Sequence, residues 1–183
     1  MALGATIYSF EIRLADADRQ VYETLSLKVA RHPSETAEFL WTRVLAYCLE
    51  YGEGIAFSKG LSDTEQPAIL GHDLTGVLTA WIEVGAPDAA RLHKATKAAP
   101  RVAVYLHRSV EQSIGRWREA RIHRAETVDL RAIDGALLEA LVARLDRRMV
   151  LDLSVAEGTL YVGIGEETLT GDVVRHSLAG TGA

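Results

Sequence analysis

The chain has 183 residues, of which 48% are hydrophobic and 25% charged, so it can bury one substantial core and we expect a folded chain. No apolar run reaches the roughly 18 residues of a membrane span, and the N-terminus has no basic region ahead of a long apolar segment, so we expect a cytoplasmic protein with no membrane partner. The single cysteine, Cys48, excludes a disulfide framework and a cysteine-rich zinc site.

Charge is unevenly distributed along the chain. The formal net charge of −5 argues against indiscriminate binding to nucleic acid. Residues 91–124, here called the basic segment, contain nine Lys or Arg and two Glu, a charge of +7, and the remainder carries 11 basic and 23 acidic residues, or −12. The basic segment could contact phosphates or could simply be a solvated helix face. Its candidate nucleic-acid contacts are Lys97, Arg101, Arg116, Arg118 and Arg121.

The first quarter of the chain predicts a hairpin followed by a helix. Residues 5–14 and 21–30 alternate apolar and polar side chains around a polar turn, which is typical of antiparallel strands with one buried face. Ser34 is the predicted N-cap of the helix, and Gly52 and Gly54 are expected to end it.

The middle of the chain predicts a strand, a helix and a second strand. The run W-I-E-V at 81–84 indicates a buried strand, Pro87 and Asp88 suit the first turn of a helix, and residues 101–106 indicate a returning buried strand. Such a βαβ unit places its two strands parallel to each other.

The last third predicts helices and then a β-meander. We expect helices at about 109–121 and 134–146, with a short extended segment between them. Three strands follow from Met149 to the end, separated by turn residues, and we expect them to form a meander that can join the N-terminal hairpin.

Glu83 is the sharpest chemical anomaly of the sequence. Its large apolar neighbours predict a buried strand, where a carboxylate needs a partner or a metal. Asp73 and Lys94 complete a set that can hold Mg²⁺ or Mn²⁺ and activate water against a phosphodiester. The two acids are ten residues apart, which is about 33 Å in a straight strand. They can therefore share an ion only if the chain reverses between them, and Gly76 is the predicted place for that bend. The competing interpretation is that Lys94 simply faces solvent.

Six short motifs between residue 1 and about residue 106 are specific in combination. They are M-A-L-G-A-T-I-Y at 1–8, A-R-H-P-S-E-T at 30–36, G-L-S-D at 60–63, D-L-T-G at 73–76, W-I-E-V-G-A-P-D at 81–88 and R-L-H-K-A at 91–95. Together they resemble the YaeQ family.

This resemblance implies a mixed α/β fold of the PD-(D/E)XK nuclease-like type in a bacterial protein. Such a fold has a four-stranded mixed central sheet with flanking helices, here with additional antiparallel β-strands from both termini. The whole chain, 1–183, is then a single domain, divided into a hairpin at 5–30, a nuclease-like core at 34–125 and a C-terminal helix and β-meander at 133–178.

The resemblance also implies roles for individual residues. Asp73 and Glu83 match the acidic positions of the fold, and Glu35 corresponds to the helix-borne acid that some members of the superfamily add. Gly85 stands where the superfamily's E-x-K pattern has a lysine. Lys94 would therefore have to substitute for that lysine from the next helix.

Two functional hypotheses follow. The first is Mg²⁺-dependent hydrolysis of nucleic acid, with Asp73, Glu83 and Glu35 as metal ligands and Lys94 as the electrostatic partner. The second is a catalytically silent binding module that contacts nucleic acid or a transcription-complex protein. Gly85 in place of the lysine favours the second hypothesis.

Overall fold

The computed structural model describes residues 4–58 and 65–179, so the motif G-L-S-D at 60–63 and residues 1–3 of the first motif lie outside the described residues. The described part contains four α-helices, which are α1 (Ala37–Glu50), α2 (Ala89–Ala98), α3 (Val110–Glu119) and α4 (Gly135–Val142). Its strands are β1 (Thr6–Asp16), β2 (Val21–Arg31), β3 (Ile55–Phe57), β4 (Ile69–His72), β5 (Leu78–Val84), β6 (Arg101–Leu106), β7 (Asp129–Ile133), β8 (Arg148–Ala156), β9 (Thr159–Ile164) and β10 (Glu167–His176). Not one of these helices has the length and apolarity required to cross a membrane.

The chain has a mixed α/β fold and divides into two compact units. Unit 1 comprises Met1–Trp41 and Ile133–Val174, and unit 2 comprises Thr42–Ala132 and Arg175–Ala183. Three of the residues expected to form a metal site, Asp73, Glu83 and Lys94, therefore belong to unit 2, whereas Glu35 belongs to unit 1.

Unit 1 is built on strands in the order β2-β1-β8-β9-β10. β1 and β2 form the antiparallel hairpin that the alternating pattern predicted, and β8, β9 and β10 form the predicted meander. β1 joins the meander through parallel pairing with β8. The buried side chains of β1, such as Phe10, Ile12 and Leu14, alternate along the strand with more exposed ones.

Helix α4 packs closely on β10 at Gly171. A Cβ atom at Gly171 would lie 2.6 Å from Cβ of Leu137 and 2.9 Å from Oδ2 of Asp134. Asp134 caps the helix by accepting hydrogen bonds from the N–H groups of Ala136 and Leu137. The helix ends at Val142, so the expected extension to residue 146 is wrong.

Unit 2 is built on strands in the order β7-β6-β5-β4-β3. β5, β6 and β7 are parallel, and β4 is antiparallel to both of its neighbours, β3 and β5. Helix α2 connects β5 to β6, which confirms the predicted strand-helix-strand unit. The hydrophobic core of unit 2 combines strand and helix residues, including Trp81, Leu92, Val104, Ile114 and Trp117.

Two helix starts differ from the expectations. The backbone N–H of Phe39 donates to Oγ1 of Thr36, so Thr36 rather than Ser34 caps α1. Ser34 instead lies 2.7 Å from Nδ1 of His32 through its hydroxyl. At α2, Asp88 is the N-cap and accepts from the N–H of Arg91, so Pro87 precedes the helix instead of lying in its first turn.

Candidate functional site

Glu83 is buried and paired within the protein. Its side chain lies on β5 and the residue is only 5% exposed. Oε1 accepts hydrogen bonds from Nε1 of Trp81 at 2.7 Å and from Nε of Arg91 at 2.5 Å. The expectation that this carboxylate needs a partner is confirmed, and the partner observed is an arginine from the first turn of α2.

Asp73 organises a tight turn at the surface. Its Oδ1 accepts from the N–H and the hydroxyl of Thr75 at 2.8 and 2.6 Å and from the N–H of Val77 at 3.0 Å. The hydrogen bond from the Thr75 hydroxyl, with those from the backbone, lowers the pKa of this carboxyl. Gly76 supplies the reversal with φ +84°, as the sequence predicted. The side chain is occupied in stabilising the link between β4 and β5.

The chain reversal does not bring Asp73 to Glu83. The N–H of Asp73 donates to the carbonyl of Val77 at 2.9 Å, so these two residues face each other at the end of the hairpin. Glu83 lies six residues further along the strand, about 20 Å at the usual rise of an extended chain. Two carboxylates at that separation cannot ligate one ion, because Mg²⁺ takes its oxygen ligands at about 2.1 Å.

The other two residues of the expected site have their own partners. Lys94 Nζ forms an ion pair with Glu65 and lies 6.0 Å from the centre of the Trp81 ring. In unit 1, Oε2 of Glu35 accepts from the backbone N–H of His32 at 3.2 Å.

Within residues 4–58 and 65–179 no group of three or more His, Cys, Asp and Glu side chains is arranged to hold a metal ion. The described donors therefore do not fit the magnesium or manganese site expected from the sequence. That site and its ligands stay predictions without geometric support.

A different feature of unit 2 has the geometry of a binding site. A cleft of about 610 Å³, here called the basic cleft, is lined by Gly85, Ala86, His107, Arg108, Ser109, Gln112, Ser113 and Arg116. It is formed by the loops that leave β5 and β6 and by the first two turns of α3. Because β5 and β6 are parallel neighbours, both loops start at the same edge of the sheet, and ligands in α/β proteins commonly bind outside such strand ends.

The backbone of this region has two unusual conformations. Gly85 ends β5 with φ +85°, and its N–H donates to the carbonyl of Tyr105 on β6 at 2.9 Å. Ser109 precedes α3 with φ +49° and has no side-chain capping hydrogen bond. The missing lysine of the E-x-K pattern thus falls at a position where a side chain other than glycine is disfavoured.

The basic cleft carries positive charge from arginine. Arg108 and Arg116 are both exposed, and Nη2 of Arg116 lies 3.4 Å from the hydroxyl of Ser113. Burial lowers the pKa of the His107 ring, which favours its neutral form.

The other residues of the basic segment that were predicted to contact nucleic acid differ in their surroundings. Arg118 donates to the carbonyl of Ser177 at 2.8 Å, and Lys97 and Arg121 are exposed. Trp117, whose neighbouring arginines suit base stacking, is only 2% exposed and donates to the carbonyl of Pro87. Trp117 therefore packs in the core and cannot offer its face to a base.

Arg101 belongs to a charged cluster around Glu50. Its Nε and Nη2 lie 2.9 and 2.6 Å from the two carboxylate oxygens, and the Tyr105 hydroxyl donates to the same group at 2.7 Å. Asp129 accepts from Arg101 at 3.2 Å and from Arg131 at 2.8 Å. An arginine held by two acids is poorly placed to bind a phosphate.

Sequence reasoning did not single out His107, Arg108 and Ser109, which line the basic cleft. The available signal was positional, because these residues directly follow a predicted buried strand that lies parallel to its neighbour. Residues at the ends of adjacent parallel strands meet at one edge of the sheet.

Together these features define a mixed α/β protein with an arginine-lined cleft beyond the ends of two parallel strands. A family model described as YaeQ protein matches residues 1–173, and the chain belongs to the YaeQ family.

The relatives are bacterial proteins of about the same length. The uncharacterized protein YaeQ of Escherichia coli strain K12 is 34% identical over 172 residues, which cover 92% of this chain and 94% of that protein. The YaeQ protein of Shigella flexneri has the same identity and coverage.

Two solved structures have the same fold. The crystal structure of YaeQ from Pseudomonas syringae superimposes with a TM-score of 0.88 at 35% identity, covering 94% of this chain and 96% of that one. YaeQ from Xanthomonas axonopodis pv. citri superimposes with a TM-score of 0.86 at 30% identity, covering 94% and 98%.

Proposed function

We propose that this protein is a binding module that contacts the phosphates of nucleic acid through the basic cleft. The observation that carries this proposal is the placement of Arg108 and Arg116 on one concave surface of about 610 Å³. Guanidinium groups bind phosphate oxygens in a bidentate manner, and phosphate contacts supply most of the sequence-independent affinity for nucleic acid. Six of the eight lining residues of the cleft belong to the basic segment of an otherwise acidic chain.

Binding is favoured over hydrolysis because the expected catalytic acids are engaged elsewhere. Glu83 is paired with Arg91. Asp73 stabilises the turn before β5, and six residues of the chain separate Val77, which faces Asp73, from Glu83. Hydrolysis of a phosphodiester by a metal-activated water requires ligands that converge on the ion. Asp73, Glu83, Lys94 and Mg²⁺ remain the competing proposal, which the test below separates from simple binding.

The test is fluorescence anisotropy with labelled single-stranded and double-stranded DNA and RNA over a range of salt concentrations. Two phosphate contacts predict a slope of log affinity against log salt of about −1.4 to −1.8. The double variant Arg108→Gln/Arg116→Gln should weaken binding by about tenfold or more. Arg147→Gln/Arg148→Gln is the matched control, because it removes the same charge from two exposed residues of unit 1.

Several results would contradict the proposal. Absence of binding to every probe, or equal weakening in the control variant, would show that the cleft is not the site. Mg²⁺-dependent cleavage that Glu83→Gln abolishes would replace binding by nuclease activity. Tight, salt-insensitive association with a transcription-complex protein in place of nucleic acid would indicate an apolar protein interface.

A further inference from the structure

The sheet of unit 1 has one buried face and one exposed face. Along β1, Phe10, Ile12 and Leu14 are buried, and the residues between them are more exposed. On the buried face the ring of Phe10 meets Trp41 edge-on at 5.3 Å between ring centres, and α4 packs at Gly171. The opposite face is formed by alternate residues of β1, from Ile7 to Ala15, and by their paired neighbours on β2, β8, β9 and β10. It is here called the outer sheet face.

The outer sheet face carries most of the large apolar side chains that the described part of the chain exposes. Within residues 4–58 and 65–179 there are seven such side chains, and two of them, Leu74 and Val77, lie before β5 in unit 2. The exposed face of a sheet is normally polar, so a group of apolar side chains on it indicates an interaction surface. The five on the outer sheet face are Ile7, Tyr22, Val150, Tyr161 and Val174.

We propose that the outer sheet face binds a second copy of this chain, so that two unit 1 sheets pack face to face in a two-fold symmetric dimer. In such a dimer the same surface of both copies forms the interface. Stacked sheets lie about 10 Å apart, with their side chains filling the space between them. The charge, the shape and the area of the outer sheet face all favour this partner.

The charge of the outer sheet face is balanced within unit 1. It presents three basic and three acidic side chains, which sum to zero in a chain of formal net charge −5. Two of the opposite charges already meet, because Arg13 donates to Asp152 at 2.8 Å. A face without net charge meets its own copy without net repulsion, whereas nucleic acid is bound by an excess of positive charge. The six side chains are Arg13, Lys28, Arg148, Glu11, Asp152 and Asp172.

The shape of the outer sheet face is suited to pairing with itself. Tyr22 is paired with Ala15, Ala15 with Ser154, and Ser154 with Tyr161, so these four residues form one row across the strands. Three strand spacings separate the tyrosines by about 14 Å, and they are 63% and 41% exposed. The small side chains between them leave a shallow depression. A tyrosine of one copy can pack into the depression of the other, and tyrosine is among the residues enriched in protein interfaces.

The area of the outer sheet face is of the size that a stable dimer needs. β1 and β8 pair over eight residues, from Ser9 with Arg148 to Asp16 with Val155. Five strands of that length cover a flat area of about 24 Å by 26 Å, or roughly 600 Å². Projecting side chains add to the accessible surface, so the face is comparable with the 800 Å² or so that each partner contributes to a standard interface.

The experiment is sedimentation equilibrium of the full chain from about 1 μM to 1 mM. We expect the mass to rise with concentration from that of one chain to that of two, since interfaces of this size have dissociation constants in the micromolar range or below. Tyr22→Glu and Tyr161→Glu, each checked for folding by circular dichroism, should raise the dissociation constant about tenfold or more. Leu74→Glu is the matched control, because it makes the same kind of change at a side chain of unit 2 that is 91% exposed.

Hydroxyl-radical footprinting tests the surface without any substitution. Tyr22 and Tyr161 should be oxidised less at a concentration where the dimer predominates than at one where the single chain does. Leu74 should be oxidised equally at both concentrations.

Three results would overturn the proposal. A mass of one chain up to about 1 mM would show that the outer sheet face does not bind a second copy, and any partner it has would be a different molecule. A dimer that both tyrosine variants retain, with both tyrosines equally oxidised at the two concentrations, would place the interface elsewhere. Equal weakening by Leu74→Glu would show that the added charge acts without regard to the outer sheet face.

Discussion

Nε of Arg91 lies 2.5 Å from Oε1 of Glu83, and this ion pair ties helix α2 to the strand that precedes it. The same arginine donates through Nη2 to the carbonyl of Gln66 at 2.6 Å. The side chains of Glu83 and Arg91 are 6% and 24% exposed, respectively. A buried carboxylate that would be costly alone is thus stabilised by a cation and by the indole N–H of Trp81.

Glu83→Ala should destabilise the protein by about 3 kcal/mol, because it leaves the guanidinium of Arg91 and the indole N–H of Trp81 without their acceptor. The value is at the low end for buried pairs because Arg91 keeps some contact with water. Urea unfolding followed by tryptophan fluorescence measures the change.

Glu65→Gln is the control for this experiment. Glu65 pairs with Lys94, but its side chain is 75% exposed, so the free energy of unfolding should change by less than about 1 kcal/mol. If Glu83→Ala and Glu65→Gln cost the same, the buried pair does not contribute to stability in the way described.

Asp129 makes stability depend on pH in the acidic range. Burial raises the pKa of this carboxyl, but hydrogen bonding from Arg131 and the charges of Arg131, Arg101 and Arg175 outweigh that effect, and the pKa is lowered. The unfolded chain therefore takes up a proton at higher pH than the folded protein. The stabilisation is present above the ordinary Asp pKa of about 3.9 and is lost as the pH falls through the folded value.

Asp129→Asn should consequently lower Tm at pH 7, and the difference from the unmodified protein should narrow as the pH falls below about 4. Thermal unfolding followed by circular dichroism across this range measures both curves. Glu53→Gln, which alters an exposed acid, is the control and should leave the curve of Tm against pH unchanged in shape. A difference in Tm that stays constant with pH would contradict the role given to Asp129.

The sequence predicted the parts of the fold that have local periodicity. Alternating side chains at 5–14 and 21–30 gave the β1–β2 hairpin, and the apolar runs around Glu83 and at 101–106 gave the parallel pair β5 and β6. β4 escaped prediction because its four residues, I-L-G-H, are too few to show a period. Its place between β3 and β5 depends on pairing, which local patterns do not encode.

The candidate site was less predictable because its parts meet only in the folded chain. The burial of Glu83 followed from its neighbours, but the sequence could not decide whether Arg91 or Lys94 would be its partner. A carboxylate near a turn, such as Asp73, can either bind a metal or accept backbone hydrogen bonds. In the structure Asp73 accepts hydrogen bonds from the N–H groups of Thr75 and Val77. The basic cleft depends on which strands are neighbours, a property of topology.

Cys48 should be unreactive in the native protein. It is the single cysteine and is fully buried, and burial raises the pKa of its thiol to about 12. Because the thiolate is the reactive form, a thiol-specific chromogenic reagent at pH 8 should react slowly with the folded protein and rapidly in denaturant. A native rate equal to the denatured rate would show that the thiol is accessible, in contradiction to its packing in α1.

Glycine substitutions at two positions should have effects of opposite sign. Gly85 has φ +85°, so Gly85→Ala should destabilise the protein by about 1–2 kcal/mol. Gly115 lies exposed within helix α3, and an added Cβ would meet no atom within 4 Å. Gly115→Ala should therefore stabilise it by about 0.5–1 kcal/mol.

Urea unfolding of both variants measures the contrast, and the helical variant serves as the control for the effect of adding a methyl group. If Gly85→Ala were as stable as the unmodified protein, the strand would not end in the left-handed conformation described. A destabilised Gly85→Ala would mean that any L-residue at this position carries the same cost. A lysine two residues after Glu83, as the E-x-K pattern requires, would have to bear that cost at the edge of the basic cleft.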